Sequence, residues 1–172
     1  MRDGMILVAL GANLPSPVHG APVATMTAAL AAMEARGLAV VARSPWYETA
    51  PVPVSDQPWY ANGVAAVNSN LEPAPLLTLL HAIEATFGRV REARNAARIL
   101  DLDLLAFGDR VEVGWPILPH PRLHERAFVL LPLRDVAPMW RHPVTGADIG
   151  SMLAGIGSAQ PTRLLAASAG QP

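Results

Sequence analysis

The chain has 172 residues, 51% of them hydrophobic and 16% charged, enough for one globular domain with its own core and too short for two full ones. Its 13 basic and 14 acidic residues leave a formal net charge of −1, so there is no general attraction for nucleic acid or an anionic membrane and any phosphate site must be local. Cysteine is absent, and lysine too, every basic residue being arginine; this removes disulfides, thiolate nucleophiles, cysteine-ligated zinc, Schiff-base chemistry and a P-loop lysine.

Residues 1–4 lead directly into an apolar run too short to span a bilayer and without a signal-peptide pattern, so the expected compartment is the cytoplasm. Residues 5–10 read as a buried strand that stops at the Gly11-Ala12-Asn13 turn. The G-x-G-x-x-G spacing of a dinucleotide fold is missing there, and Gly155-Ile156-Gly157 has no strand before it. Residues 23–36 carry Met26, Leu30 and Met33 at helical spacing and meet a stop at Gly37; residues 38–42 read as a second strand. Residues 44–58 contain Pro45, Pro51, Pro53 and Pro58 and show no apolar periodicity. Loops this long inside a domain are functional or disordered. With Trp46, Tyr47, Trp59 and Tyr60 in or beside it, this one reads as a substrate-shaping loop, the plainer alternative being a surface loop pinned by aromatics.

Asn62 stands at the entrance to a strand over residues 63–67, and Glu72-Pro73 opens a helix whose buried stripe is Leu76, Leu79, Leu80, Ile83 and Phe87, ending at Gly88. Glu84 sits near the C-terminal end of that helix, where the dipole disfavours an acid. Either Arg89 or Arg91 supplies a cationic partner, or the glutamate is solvated. Residues 89–98 hold Arg89, Arg91, Arg94 and Arg98 and have no hydrophobic face. Immediately after them Leu100, Leu102 and Leu104 alternate with Asp101 and Asp103. On a strand that spacing puts both carboxylates on one face. Paired carboxylates repel unless a cation sits between them. The sharper reading is a Mg²⁺ site completed by substrate phosphates, with the arginines gripping those phosphates; the blander one is a half-exposed strand with acids on its solvent side.

Gly108-Asp109-Arg110 reads as a turn into a hairpin partner at residues 111–113. His120 and His124 have the i, i+4 spacing of zinc ligands, but Pro121 between them prevents a continuous helix, and a histidine donating to phosphate is the better reading. An apolar helix follows from Arg126 and Phe128 to about residue 133. Residues 140–143 suggest a short edge strand and residues 149–153 a short helix. One catalytic domain is expected over residues 1–157, and residues 158–172, rich in Ala, Ser, Gly, Gln and Pro, read as a tail that does not pack.

Five ordered blocks give the chain a family resemblance: Leu10-Gly11-Ala12-Asn13-Leu14; Asp56-Gln57-Pro58 with Tyr60 and Asn62; Gly88-Arg89-Val90-Arg91; Arg98 with Asp101-Leu102-Asp103; and Pro119-His120-Pro121-Arg122 with Arg126 and Phe128. In these it resembles the 6-hydroxymethyl-7,8-dihydropterin pyrophosphokinases of folate biosynthesis. The resemblance implies an α+β fold, a three-layer α/β/α arrangement on a ferredoxin-like core with a largely antiparallel sheet. It implies transfer of the diphosphate of ATP to the pterin hydroxymethyl group with release of AMP. Asp101 and Asp103 would bind two Mg²⁺ ions, Arg91, Arg98, His120 and Arg126 would contact ATP phosphates, and Arg89 would support the site. Tyr60 and Phe128 would sandwich the pterin, Asn62 would bond its ring edge, and backbone groups near Thr49 and Val52 would complete that pocket. Glu84 would fall on the ATP side, bonded to Asn13. The expected partners are these two small molecules, with neither nucleic acid nor membrane, and the expected state is a monomer.

Two positions depart from the family pattern. Asn95 stands where members often place a tryptophan that closes the arginine loop, leaving closure to Trp46 or Trp59, and Trp115 stands near a position where some members carry a basic residue. Two rival readings remain: a Mg²⁺-dependent phosphoryl- or nucleotidyltransferase with another heterocyclic acceptor, and a non-catalytic ferredoxin-like binding module. The near-neutral charge and the missing aromatic-rich strand signature weigh against an RNA-binding form of the latter.

Overall fold

The computed structural model describes residues 4–89 and 97–166. In chain order the elements are β1 (Ile6–Ala12), α1 (Pro22–Ala35), β2 (Ala39–Arg43), β3 (Tyr47–Thr49), β4 (Tyr60–Asn68), α2 (Pro73–Thr86), β5 (Asp101–Phe107), α3 (Ala127–Val136), α4 (Ile149–Ile156) and β6 (Thr162–Leu164), with one 3-10 turn at Leu123–Glu125. Both α1 and α2 start on a proline, whose missing N–H is no loss in a first turn, and both stop just short of the expected glycines Gly37 and Gly88.

All strand pairings are antiparallel. β1 lies between β5 and β4; β2 and β3 follow one another along the other edge of β4, and β6 pairs with the outer side of β3. Side-chain alternation gives this sheet two buried faces. Ile6, Val8 and Leu10 of β1 with Leu102 and Leu104 of β5 meet Met26 and Met33 of α1 and Leu80 and Ile83 of α2. Leu7 of β1, Val64 and Ala66 of β4 and Leu105 of β5 meet Leu130 and Leu133 of α3 and Met152 of α4. Each leucine fully withdrawn from water contributes about 2 kcal/mol, and that burial on both faces fixes the register of the central strands. The result is the expected α+β, three-layer architecture on a ferredoxin-like core.

Several elements differ from expectation. The stretch 44–58 contains β3, a strand of only three residues whose pattern is too short to show periodicity. Residues 111–113 do not extend the sheet; Glu112 bridges Leu118 within its own loop. The edge strand expected at residues 140–143 is a single bridge between Arg141 and Asp148. Residues 162–164, expected to lie in an unpacked tail, form β6, because the free edge of β3 offers Tyr47, Glu48 and Thr49 as partners for Leu164, Arg163 and Thr162. No helix among the described residues is long and apolar enough to cross a membrane.

Candidate active site

The cavity that matters opens on the sheet face covered by α3 and α4, at the C-terminal end of β1. Strand register assembles it. Gly11 of β1 pairs with Asp101 on one side and Asn62 on the other, and Ala9 pairs with Asp103 and Val64. Two small residues thus separate the β5 carboxylates from the β4 amide, leaving a trench where larger side chains would fill the space. A Cβ on Gly11 would already come to 3.2 Å from Asn62 Oδ1. The cavity measures about 320 Å³; Asp101 and Asp103 line it at the β5 end, Thr49, Tyr60 and Asn62 at the β3–β4 end, and Ala9, Gly11, Val52, Arg98, His120, Arg126 and Phe128 also line it.

At the first end Asp101 and Asp103 share a face of β5, as their spacing requires. Asp101 is held by two arginines: Arg89 bonds Oδ1, and Arg98 bonds Oδ2 at 2.6 Å. Asp103 has its carboxyl pushed up to about 6 by burial and by the neighbouring Asp101 charge, against the pull of Arg126, Arg98 and Arg89. Arg98 is itself fixed by the turn after β1. Asn13 N and Leu14 N both donate to its carbonyl, at 3.0 and 3.1 Å, and its own N–H donates to Asn13 Oδ1 at 2.8 Å. The buried Asn13 also donates to Gln57 Oε1 and to Pro58 O, which ties three loops together.

Glu84 is not the solvated glutamate that was one of two expectations. It is 1% exposed, its Oε1 accepts from Leu102 N at 2.7 Å and from Arg89, and burial pushes its carboxyl up to about 7. Arg89 therefore bridges Glu84 of α2 to Asp101 of β5. Glu84 is not among the residues lining the cavity, and the expected bond to Asn13 is replaced by Asn13's bonds to the other loops.

His120 enters the cavity from the loop before α3. Its Nδ1 accepts from Arg122 N at 3.2 Å, which leaves the ring proton on Nε2. Burial, reinforced by Arg126, lowers its pKa to about 4, so it offers a neutral N–H donor. The Arg126 guanidinium lies over the Phe128 ring, 5.6 Å from its centroid. At the second end Asn62 Nδ2 donates to Thr49 Oγ1 at 2.9 Å, both residues being nearly buried, and Tyr60 stands beside them, its hydroxyl 3.4 Å from Gln57 Oε1.

The structure thus gathers Thr49, Val52, Tyr60, Asn62, Arg98, Asp101, Asp103, His120, Arg126 and Phe128 around one cavity, with Arg89 and Glu84 behind Asp101. Arg91, Arg94 and Asn95 lie outside the described residues. Trp46 packs against the opposite face of the sheet, over Gly63, where a Cβ would come to 2.5 Å from its ring, so it is unavailable for closure. Trp115 stands by His81, ring centroids 6.4 Å apart, away from the cavity. Sequence reasoning missed Ala9, Gln57, Glu125 and Gln160 among the lining residues; the nearest signal was that Ala9 and Gln57 adjoin or belong to recognisable motifs.

No group of three or more His, Asp or Glu able to hold a metal occurs among the described residues. Two adjacent carboxylates, one of them with a raised pKa, nevertheless fit Mg²⁺, which takes one or two carboxylates and completes its shell with water and substrate phosphates.

An antiparallel sheet with a carboxylate pair, arginines and aromatics around one cavity suits an α+β transferase with a phosphorylated donor and a flat acceptor. A family model described as 7,8-dihydro-6-hydroxymethylpterin-pyrophosphokinase (HPPK) matches residues 7–138. The chain is 44% identical over 152 residues to the 2-amino-4-hydroxy-6-hydroxymethyldihydropteridine pyrophosphokinase of Pseudomonas aeruginosa, covering 87% of this chain and 90% of that one. It is 38% identical over 144 residues to the Synechocystis protein of the same name, covering 83% and 71%. Among solved structures it resembles the Plasmodium falciparum HPPK-DHPS triple mutant with SDX-DHP, with a TM-score of 0.65 and 16% identity, covering 86% of this chain and 43% of that one. The chain therefore spans less than half of that longer protein, and the likeness there is one of fold. The chain belongs to the 7,8-dihydro-6-hydroxymethylpterin-pyrophosphokinase family, and it is an enzyme of folate synthesis.

Proposed function

We propose that the cavity performs this family's ATP-dependent pyrophosphoryl transfer to 6-hydroxymethyl-7,8-dihydropterin with the residues named above in distinct roles. The β- and γ-phosphoryl groups of ATP move together onto the hydroxymethyl oxygen, the bond between the β-phosphorus and the α–β bridging oxygen breaks, the hydroxyl loses its proton and AMP leaves. The observation that supports these roles is the convergence in one cavity of the Asp101–Asp103 pair, Arg98, His120 and Arg126 with Tyr60, Asn62, Thr49 and Phe128.

Asp101 and Asp103 would hold two Mg²⁺ ions, whose charge would neutralise the polyphosphate and polarise the transferred phosphorus and the acceptor hydroxyl. Arg98 and Arg126 grip the phosphates, Arg91 joins them on the strength of the family resemblance, and His120 donates through Nε2–H. Arg89 holds Asp101 in place from behind, and Glu84 acts on the ATP side through Arg89. Tyr60 and Phe128 stack on the pterin, while Asn62 and backbone groups at Thr49 and Val52 bond its edge. Chemistry of this kind rests on positioning and charge neutralisation more than on covalent help. The enzyme acts as a single cytoplasmic domain that extends past residue 157 to include Gln160 and β6, and as a monomer, which sedimentation at the mass of one chain would verify.

Ion-exchange product analysis after mixing the protein with ATP, Mg²⁺ and the pterin tests the reading. AMP should rise in step with a diphosphorylated pterin and only when metal is present. ADP as product, or equal turnover in chelator, would refute these roles.

A further inference from the structure

Gln160 lies beyond the stretch 7–138 matched by the family, yet it lines the cavity. The Gln160 side-chain amide spans the two peptide groups that flank Arg126. Its Nε2 donates to the Glu125 carbonyl at 2.8 Å, and the Ala127 N–H donates to its Oε1 at 2.9 Å. That N–H belongs to the first residue of α3, and a helix cannot satisfy its own leading N–H groups. Arg126, at the N-cap position, makes no side-chain capping bond. Gln160 therefore caps the helix from 33 residues away and, by gripping the chain on both sides, holds Arg126 at an extended φ of −121° and ψ of 104°.

Gln160 is anchored in its turn. Thr162 Oγ1 donates to its carbonyl at 3.2 Å, and Ala50 N faces Pro161 O at 3.4 Å. Beyond it β6 pairs with β3, and Arg163 bonds Glu48 while lying over the Trp59 ring at 4.9 Å. The strand that carries Thr49, at the acceptor end of the cavity, is thereby linked to the residue that fixes Arg126.

We infer that Gln160 is a positioning residue, which sets where the Arg126 guanidinium meets the phosphates of the nucleotide. The inference rests on the phosphate-binding role proposed for Arg126. A residue of equal size without the amide would fill the same space but could not clamp both peptide groups.

The test is a double-mutant cycle on the full chain with KM for ATP, KM for the pterin and kcat measured separately, using Gln160→Leu, Arg126→Ala and the double variant. Gln160→Leu is expected to raise KM for ATP by up to about tenfold, the scale of one net hydrogen bond lost, and to change it by less than about twofold when Arg126 is already alanine. An effect that persists in full without Arg126 would overturn the inference in favour of direct contact or general support, and so would a normal KM in Gln160→Leu. A normal KM for ATP in Arg126→Ala would instead overturn the role of Arg126 on which the inference rests. Should Gln160→Leu not fold, Gln160→Glu, which keeps the acceptor for Ala127 and lacks the donor for Glu125, serves in the same cycle.

Discussion

Asp101 and Asp103 occupy successive same-face positions on one strand, and their surroundings divide the work. Asp101 is neutralised by Arg89 and Arg98, whereas Asp103 keeps a raised pKa of about 6 through burial and its neighbour's charge. Asp103→Asn is expected to lower kcat by at least about 100-fold while leaving the melting temperature nearly unchanged; turnover within a few-fold of the unaltered enzyme would sink the metal assignment. His120 gives a pH prediction. Its folded pKa of about 4 lies below the ordinary 6.5, so the unfolded chain takes up a proton before the folded one does. The contribution of this neutral histidine is complete above 6.5 and lost as pH falls toward 4. Compared with His120→Gln, the unaltered protein should lose on the order of 2 kcal/mol across that window. Paired denaturant titrations at a series of pH values measure this, and parallel curves would contradict it. Most of these residues were legible in the sequence, because an Asp-x-Asp spacing on a strand and clustered arginines carry their chemistry in their order. Glu84 was only half legible: its position predicted a need for a cation, but not the burial that makes Arg89 its partner.

At the scale of elements, β1 makes the cavity by what it leaves out. Ala9→Leu places a branched side chain between Asp103 and Val64, so KM for both substrates should rise by about tenfold or more while circular dichroism stays that of the native fold. Unchanged KM values would show that the trench is not where substrates sit. Tyr47 joins the cavity's outer strand to α3, its buried hydroxyl donating to Asp135 Oδ2 at 2.6 Å. Burial and that bond together push its pKa up to about 12. Tyr47→Phe should cost about 1–3 kcal/mol of stability in urea unfolding, with a loss under a few tenths arguing that the bond is dispensable. The long helices and central strands were readable because their apolar periods run for many residues. β3 and β6 were not, since three residues carry no period and their pairing depends on a partner supplied from elsewhere in the chain.

For the molecule as a whole, both ends of the site depend on the same sheet, so ligand and fold should be coupled. An ATP analogue with Mg²⁺ at about 100 times its Kd adds about 2.7 kcal/mol, a rise of roughly 5–10 °C in melting temperature for a domain of this size. Thermal shift with chelator added should show much less of it, and an equal shift without metal would count against Asp101 and Asp103 as its ligands. Composition bounded the chain to about one domain, and five short motifs, through the family resemblance they carry, implied its α+β fold and named the carboxylates, arginines and aromatics of its cavity. These features are local, set by residues within a few positions of one another. Only the tertiary structure decided that Ala9 and Gly11 open the trench, that Asn13 joins three loops, and that Gln160 reaches across to Arg126. Those relations join residues tens to more than eighty positions apart, and strand register and helix docking, which no local pattern encodes, bring them within bonding distance.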